Sequence, residues 1–371
     1  MIPVNEPLLD GNEKKYLLEC IDTGWISSEG PFVKRFEEMF SSYIGVKHGI
    51  AVCNGTAALE VAMSAIDIQS GDEVIMPTFT IISCALAIIR RGGIPVLVDV
   101  ENDTWCMDVD QVKDKITPRT KAIMPVHMYG HPVDMDPIME LAEKHGLYVV
   151  EDAAEVHGAE YKGKRCGGLG HINCFSFYAN KIITTGEGGM LVTDDDRLAE
   201  RSRLHRNLCF KESRRFYHEE FGGNYRMTNL QAAVGVAQME RIDEFVEIKR
   251  RNGVIYNRLL KDINCLQLPV EREWAKNVYW MYGVVIDEDT GYNAGTFAEE
   301  LKNRGIATRP FFLGMHEQPV FQRMGLFQGE SYPISERLSR QGIYLPSGLT
   351  LTEKHIHKVV DAIKDIVGYR S

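Results

Sequence analysis

The chain has 371 residues, 44% hydrophobic and 25% charged, with a formal net charge of −10. That length exceeds one ordinary core and predicts two units, and the balance of residues is that of a globular protein. The acidic balance argues against a nucleic-acid binder, which presents a basic face, yet it leaves room for anionic small molecules held by backbone dipoles or single arginines.

The opening MIPVNEPLLDGNEKK lacks a basic segment followed by an apolar run, and no stretch approaches the ~20 apolar residues that span a bilayer. The eight cysteines are scattered, with no CxxC pair and no Cys/His ligand spacing. The expectation is reduced, mostly buried thiols in a cytoplasmic protein, with no metal site. The NGT and NDT sequons at Asn54 and Asn102 should then stay unmodified.

From residue 50 onward, short apolar runs alternate with helical patterns. GIAVCN leads into GTAALEVAMSAI, and DEVIMP into TIISCALAIIRRG. IPVLVDV precedes DVDQVKDKI, KAIMPVHMYG precedes MDPIMELAEKHG, and LYVVED follows. Apolar runs of this length between helices predict βαβ units around a parallel sheet, with right-handed crossovers. After Asn229 the pattern changes to one long helical region, bent near its middle. NVYWMYGVVIDED, NAGTFAEELKNRGI and KHIHKVVDAIKDIVGY then read as a smaller α/β unit. The chain divides accordingly into residues 1–245 and residues 246–371, with the N-terminal segment available to pack on the smaller unit.

Three signals fall at successive strand ends. Lys181, in FSFYANKIITTGEGGM, lies between an aromatic run and a loop with Gly186, Gly188 and Gly189. An isolated lysine there is ordinarily a surface residue; a desolvated one has a lowered pKa and an amine able to form a Schiff base. LYVVEDAAEVHG reads as a buried strand ending in Glu151 and Asp152, where an acid is a satisfied structural group, a metal ligand, or the partner of a pyridinium nitrogen. CNGTAAL places Asn54, Gly55 and Thr56 at a helix start, which is either an ordinary cap or an anion site, and Ser176 could add a hydroxyl. A phosphate site, a buried acid and a buried lysine together are what pyridoxal 5'-phosphate needs. No GxGxxG after the first strand, GxxxxGK[ST], HExxH or GxSxG competes.

These residues resemble the pyridoxal-phosphate-dependent nucleotide-sugar aminotransferases of the DegT/StrS type. The match runs from GWISSEGPFVKRFEEMF through NGTAAL, GDEVIMPTFT, PVHMYG, VVEDAAE and FSFYANKIITTGEGGM to GGNYRMTNLQAAVG. The resemblance implies the fold type I of aspartate aminotransferase. This is an α/β fold whose large domain carries a mostly parallel mixed sheet flanked by helices, followed by a smaller C-terminal α/β domain. It implies that Lys181 bonds the cofactor and that Asp152 keeps its ring nitrogen protonated. Phe79 would stack on the ring; the amides of Thr56 and Ala57 and the Ser176 hydroxyl would hold the phosphate. Asn224 would reach the phosphate from a neighbouring subunit, so the enzyme would be a homodimer. Arg226 and Arg309 are candidate cations for a substrate diphosphate, and His316 a candidate sugar contact, each weighed evenly against a structural side chain. His127, His131 and His157 read as structural.

Within the family, FYANKIITTGEGGM and NYRMTNLQAAVGVAQMER are most like the members that aminate GDP-4-keto-6-deoxymannose with L-glutamate. These give GDP-perosamine for O-antigen polysaccharide and pass through pyridoxamine 5'-phosphate. The alternatives are a 4- or 3-aminotransferase for a dTDP- or UDP-linked keto sugar and, from another class, a non-catalytic cofactor-binding regulatory protein. One departure stands out: Glu155 occupies a position where most of the family has glutamine, beside the cofactor's phenolic oxygen. Two anions in contact repel, so Glu155 is expected to have a raised pKa and to be protonated when that oxygen is ionised.

Overall fold

The computed structural model describes residues 1–211, 214 and 216–369. Two helices that the alternation pattern did not announce come first, α1 (Glu13–Thr23) and α2 (Pro31–Ile44). α2 begins on a proline, ends at Gly45 with φ 90°, and buries Phe32, Phe36, Phe40 and Ile44 along one stripe four residues apart. The alternation follows as β1 (His48–Val52), α3 (Gly55–Ala65), β2 (Glu73–Pro77), α4 (Ser83–Arg90), β3 (Ile94–Val98), α5 (Val109–Lys115), β4 (Thr120–Ile123), α6 (Met135–His145) and β5 (Tyr148–Asp152). Two short strands, β6 (Glu160–Tyr161) and β7 (Lys164–Arg165), precede β8 (Ile172–Ser176) and β9 (Gly189–Thr193), and α7 (Asp196–Arg206) closes the run.

Seven of these strands form one sheet in the order β1-β9-β8-β5-β4-β2-β3. β3, β2, β4, β5 and β8 are mutually parallel, whereas β9 is antiparallel to both β8 and β1. The sheet is therefore mixed and mostly parallel, with helices against it. Every residue of β2 and β9 is buried, as expected for strands covered on both faces. The antiparallel step gathers the ends of β5 and β8, the start of β9 and the start of α3 at one edge. Lys181 lies in the segment joining β8 to β9.

The long helical region is two helices, α8 (Asn229–Met239) and α9 (Ile242–Leu260), broken at Glu240 and Arg241. α8 starts on a capping box between Thr228 and Gln231. Beyond α9 lie β10 (Leu266–Gln267), β11 (Ala275–Lys276), β12 (Tyr282–Ile286), α10 (Ala294–Asn303), β13 (Arg309–Pro310), α11 (Pro319–Arg323), α12 (Pro333–Gln341), β14 (Gly342–Leu345) and α13 (Glu353–Ile366). β10, β12, β14 and β13 form a second, antiparallel sheet in that order, and β11 completes a small sheet with β6 and β7.

Residue 245, the expected boundary, falls inside α9. The first turns of α9 (Ile242, Phe245, Val246) pack in the core of the large sheet, and its last (Ile255, Tyr256, Leu260) in the core of the second. The N-terminus joins the second core as well: the Ile2 amide donates to Gly305 O at 2.8 Å, and the Ala307 amide to Ile2 O at 2.9 Å.

Candidate active site

The end of β5 carries two successive acids with opposite surroundings, because side chains alternate across a strand. Glu151 is fully buried. Its carboxylate accepts the amides of Gly167 (2.7 Å), Leu169 (2.6 Å) and Gly170 (2.5 Å), and His127 Nε2 donates to it at 2.8 Å. The His127 tautomer follows, since Nδ1 accepts the Val133 amide at 2.9 Å. Asp152 points the other way, into a cavity, accepting the Ala154 amide at 3.1 Å and the Cys84 thiol at 3.0 Å. Glu151 is thus a structural acid, pinning the loop before β8 and the segment after β4. Asp152 is the acid that faces the cavity.

Lys181 reaches the same cavity from the loop after β8, which the Lys181 amide begins to tighten by donating to Tyr178 O at 2.9 Å. Its Nζ lies 3.8 Å from Glu155 Oε1 and 3.7 Å from the centroid of the Trp280 ring, with the side chain only 10% exposed. Desolvation pulls the amine below the usual lysine range, against the pull of the Glu155 and Asp152 carboxylates. Glu155, buried beside it, accepts the Tyr129 amide at 2.7 Å through its other oxygen. Burial outweighs the Lys181 charge and that hydrogen bond, and pushes the Glu155 carboxyl up to about 7. The two groups are a close pair in which a shared proton is cheaper to bury than two charges.

Two helix starts face this pair. At α3 the Asn54 side chain accepts the Ala57 amide at 2.8 Å, so the Ala57 donor expected for a phosphate is already used by the cap. Helix geometry leaves the first-turn amides of Gly55 and Thr56 without an intrahelical acceptor. The Thr56 hydroxyl lies 2.8 Å from that of Ser83, at the start of α4, and ties the two helix ends together. Ser176 closes the cradle. A Cβ on Gly55 would sit 2.7 Å from Ser176 Cβ, so only glycine allows β8 and α3 to approach this closely.

The cavity so formed has a volume of about 700 Å³, within the range of small-molecule sites. Thr56, Ala57, Asp152, Glu155, Ser176, Lys181 and Asn224 all line it. Asn224 does so within its own chain. Four expected residues stand elsewhere. Phe79 is fully buried two residues beyond β2, packed on Tyr129, Phe311 and Phe312; the following residues, Thr80 and Ile81, are the ones that turn to the cavity. Arg226 pairs by its backbone with Val52 and donates to the Asn207 side chain, facing a second hollow beside α7. Arg309 is exposed on the edge strand β13; its register partner Tyr344 lines the cavity instead. His316 is buried, its Nδ1 2.8 Å from the Thr78 hydroxyl and its ring 4.9 Å from that of Tyr332, in a turn held to the end of β2 by the Met315 amide.

Cys84, Trp280, Phe312 and Tyr344 were not singled out from sequence. The last three come from the second sheet and its flanks, and no local spacing connects them to Lys181. Burial lowers His131 to about 4 and His157 to about 3, the latter among the rings of Phe40, Phe175 and Phe177. Among the described residues no cluster of three His, Cys, Asp or Glu side chains could hold a metal ion.

The profile of the DegT/DnrJ/EryC1/StrS aminotransferase family matches residues 7–364. The chain is 45% identical to a GDP-perosamine synthase of Caulobacter vibrioides over 99% of this chain and 98% of the relative. It is 42% identical to one of Escherichia coli O157:H7 over 98% of each. Among solved structures, the aminotransferase TlmJ of Streptoalloteichus hindustanus superposes with a TM-score of 0.92 at 30% identity, covering 99% of both chains. Aminotransferases of this family depend on pyridoxal 5'-phosphate. The cavity fits that group: the Gly55–Ser176 cradle suits a phosphate, Asp152 a ring nitrogen, and Lys181 an aldehyde. Sequence, architecture and cavity chemistry agree, and the chain belongs to the DegT/DnrJ/EryC1/StrS aminotransferase family.

Proposed function

We propose that this aminotransferase transfers the amino group of L-glutamate to the 4-keto carbon of GDP-4-keto-6-deoxymannose, forming GDP-perosamine. The observation that carries the substrate is end-to-end identity of 45% and 42% with two GDP-perosamine synthases. Pyridoxal 5'-phosphate, when bound, supplies an aldehyde that takes up the amino group and a ring that withdraws the electron pair left at carbon. Lys181 would take a proton at Nζ from the amino donor and deliver it within the same half of the cycle, then carry a proton in the opposite sense in the second half; its desolvated amine favours the neutral form that this requires. Asp152, oriented by Cys84 and the Ala154 amide, would hold the proton on the cofactor's ring nitrogen. The Gly55 and Thr56 amides and the Ser176 hydroxyl would bind its phosphate, and Glu155 would keep a proton near its phenolic oxygen. Trp280, Phe312 and Tyr344 limit water at the Lys181 amine.

The working unit is a cytoplasmic homodimer, with Asn224 also serving the neighbouring subunit's phosphate. Exposed apolar side chains support it: Trp25 and Ile26 are each 51% exposed, and Phe221, three residues before Asn224, is 95% exposed. No helix among the described residues is long and apolar enough to cross a membrane.

The test is incubation with glutamate and GDP-, dTDP- and UDP-linked 4-keto sugars, followed by mass spectrometry of the products. Exchange of ketone oxygen for an amino group on the GDP sugar is expected. Amination confined to a dTDP or UDP sugar refutes the substrate, and turnover by Lys181→Ala refutes the assignment of the base. Sedimentation of the purified protein reads the dimer.

A further inference from the structure

Lys249 has no part in the chemistry above, yet it is fully buried in α9, at 1% exposure. Among the described residues its amine meets no carboxylate. It donates to Trp280 O at 2.7 Å and to Ser347 O at 2.6 Å, main-chain carbonyls just before β12 and just after β14. Burying an amine without a counter-charge is costly, and desolvation alone pulls this one down to about 7. Two carbonyls are what a neutral amine can satisfy, because it has two N–H donors.

One of those carbonyls belongs to the residue that covers the reacting lysine. The Trp280 ring lies 3.7 Å from Lys181 Nζ, and its indole N–H donates to Asn180 O at 2.8 Å. The Trp280 main chain is therefore held from behind by α9, and its ring reaches forward to the Lys181 loop. Asn180 O also accepts the Asn5 side chain at 2.5 Å, and the Ser347 amide donates to Val4 O at 2.9 Å, so the N-terminal segment braces both ends of the same link. We propose that Lys249 is a positioning residue, which fixes the Trp280 main chain and so holds the indole over the Lys181 amine, keeping that amine dehydrated. The proposal rests on Lys181 being the reacting group.

The charged and titratable groups that face Lys181 are Glu155, Asp152 and His157; among the described residues Lys249 meets the two main-chain carbonyls and no ionisable group. Loosening the indole admits water to Lys181 and moves its pKa back towards the ordinary lysine value.

The test is competitive acylation of the full chain, freed of cofactor with hydroxylamine, across a pH series, with Lys181 located by peptide mass mapping. This reads the amine itself, so it stands or falls separately from any turnover assay. Lys249→Met should raise the Lys181 midpoint by about half a pH unit or more, a roughly threefold change in the proton affinity. Trp280→Ala should raise it too, and adding Lys249→Met to Trp280→Ala should add little, because both act through one ring. An unmoved midpoint in folded Lys249→Met or in Trp280→Ala overturns the proposal. So does an equal further shift in the double variant. Lys249→Leu, which likewise removes both N–H donors, replaces Lys249→Met if the latter does not fold. If neither Lys249 variant folds while Trp280→Ala does, Lys249 serves the whole fold and the positioning role fails.

Discussion

Glu151→Gln isolates the acid that builds the site from the acid that faces it. In the wild type, one carboxylate oxygen accepts the Leu169 and Gly170 amides, and the other accepts the Gly167 amide and the His127 ring. Glutamine has the same shape but only one accepting oxygen. Whichever way its amide turns, an NH2 group meets two donors, and those two are left without an acceptor in a fully buried place. Each such buried donor costs about 1–3 kcal/mol, so the substitution should cost roughly 2–6 kcal/mol. The loss falls on the loop at residues 166–170 and on the segment after β4, whose His127 amide also donates to Asp152 O at 3.2 Å. Thermal melting by calorimetry at neutral pH should show a fall of about 4 °C or more, since 1 kcal/mol moves the midpoint of a domain of 150–250 residues by about 2–4 °C. Pyridoxal phosphate retention should weaken alongside, through Asp152. A variant melting within about 1 °C of the wild type would show that the four hydrogen bonds are not what pins this strand end.

Glu155→Gln tests the other buried acid. Its folded pKa is raised to about 7, so the folded protein holds that proton more tightly than the unfolded chain does. Wild-type stability should therefore fall as pH climbs from the ordinary carboxylate range to about 7 and level off above it, whereas the glutamine variant does not titrate. The difference in urea midpoint between the two should grow across that window in favour of the variant; a difference independent of pH would contradict the raised pKa. In the cofactor-loaded protein, the absorbance–pH curve should barely change on Glu155→Gln, and a large displacement would show that Glu155 is ionised beside the phenolic oxygen. Gly55→Ala places a Cβ 2.7 Å from Ser176 Cβ, and the two elements must part. Equilibrium dialysis should find phosphate-end affinity for the cofactor reduced on the order of tenfold, about 1.4 kcal/mol, with unchanged affinity arguing that the close approach is not what shapes the cradle.

Much of this protein was determined by local sequence alone. The βαβ order from residue 48 to residue 152 follows from apolar runs of strand length separated by amphipathic stretches, because each run can be buried on both faces only in a sheet covered by helices. The glycine-flanked Lys181, the strand-end Asp152 and the helix-start Gly55 and Thr56 were visible because each depends on its immediate neighbours. What tertiary structure decided is which side chains face inward at a bend and which distant segments meet. The bend after β2 buries Phe79 and presents Ile81; pairing with Val52 turns Arg226 away; a turn locked to Thr78 takes up His316. The Ala57 amide went to its own cap, a competition between ligand and side chain that spacing does not rank. Trp280 lies 3.7 Å from an amine 99 positions earlier in the chain, held by Lys249 from a third segment. Contacts of that kind leave no period in a sequence, since they are set by how two packed cores and the helix straddling them come together.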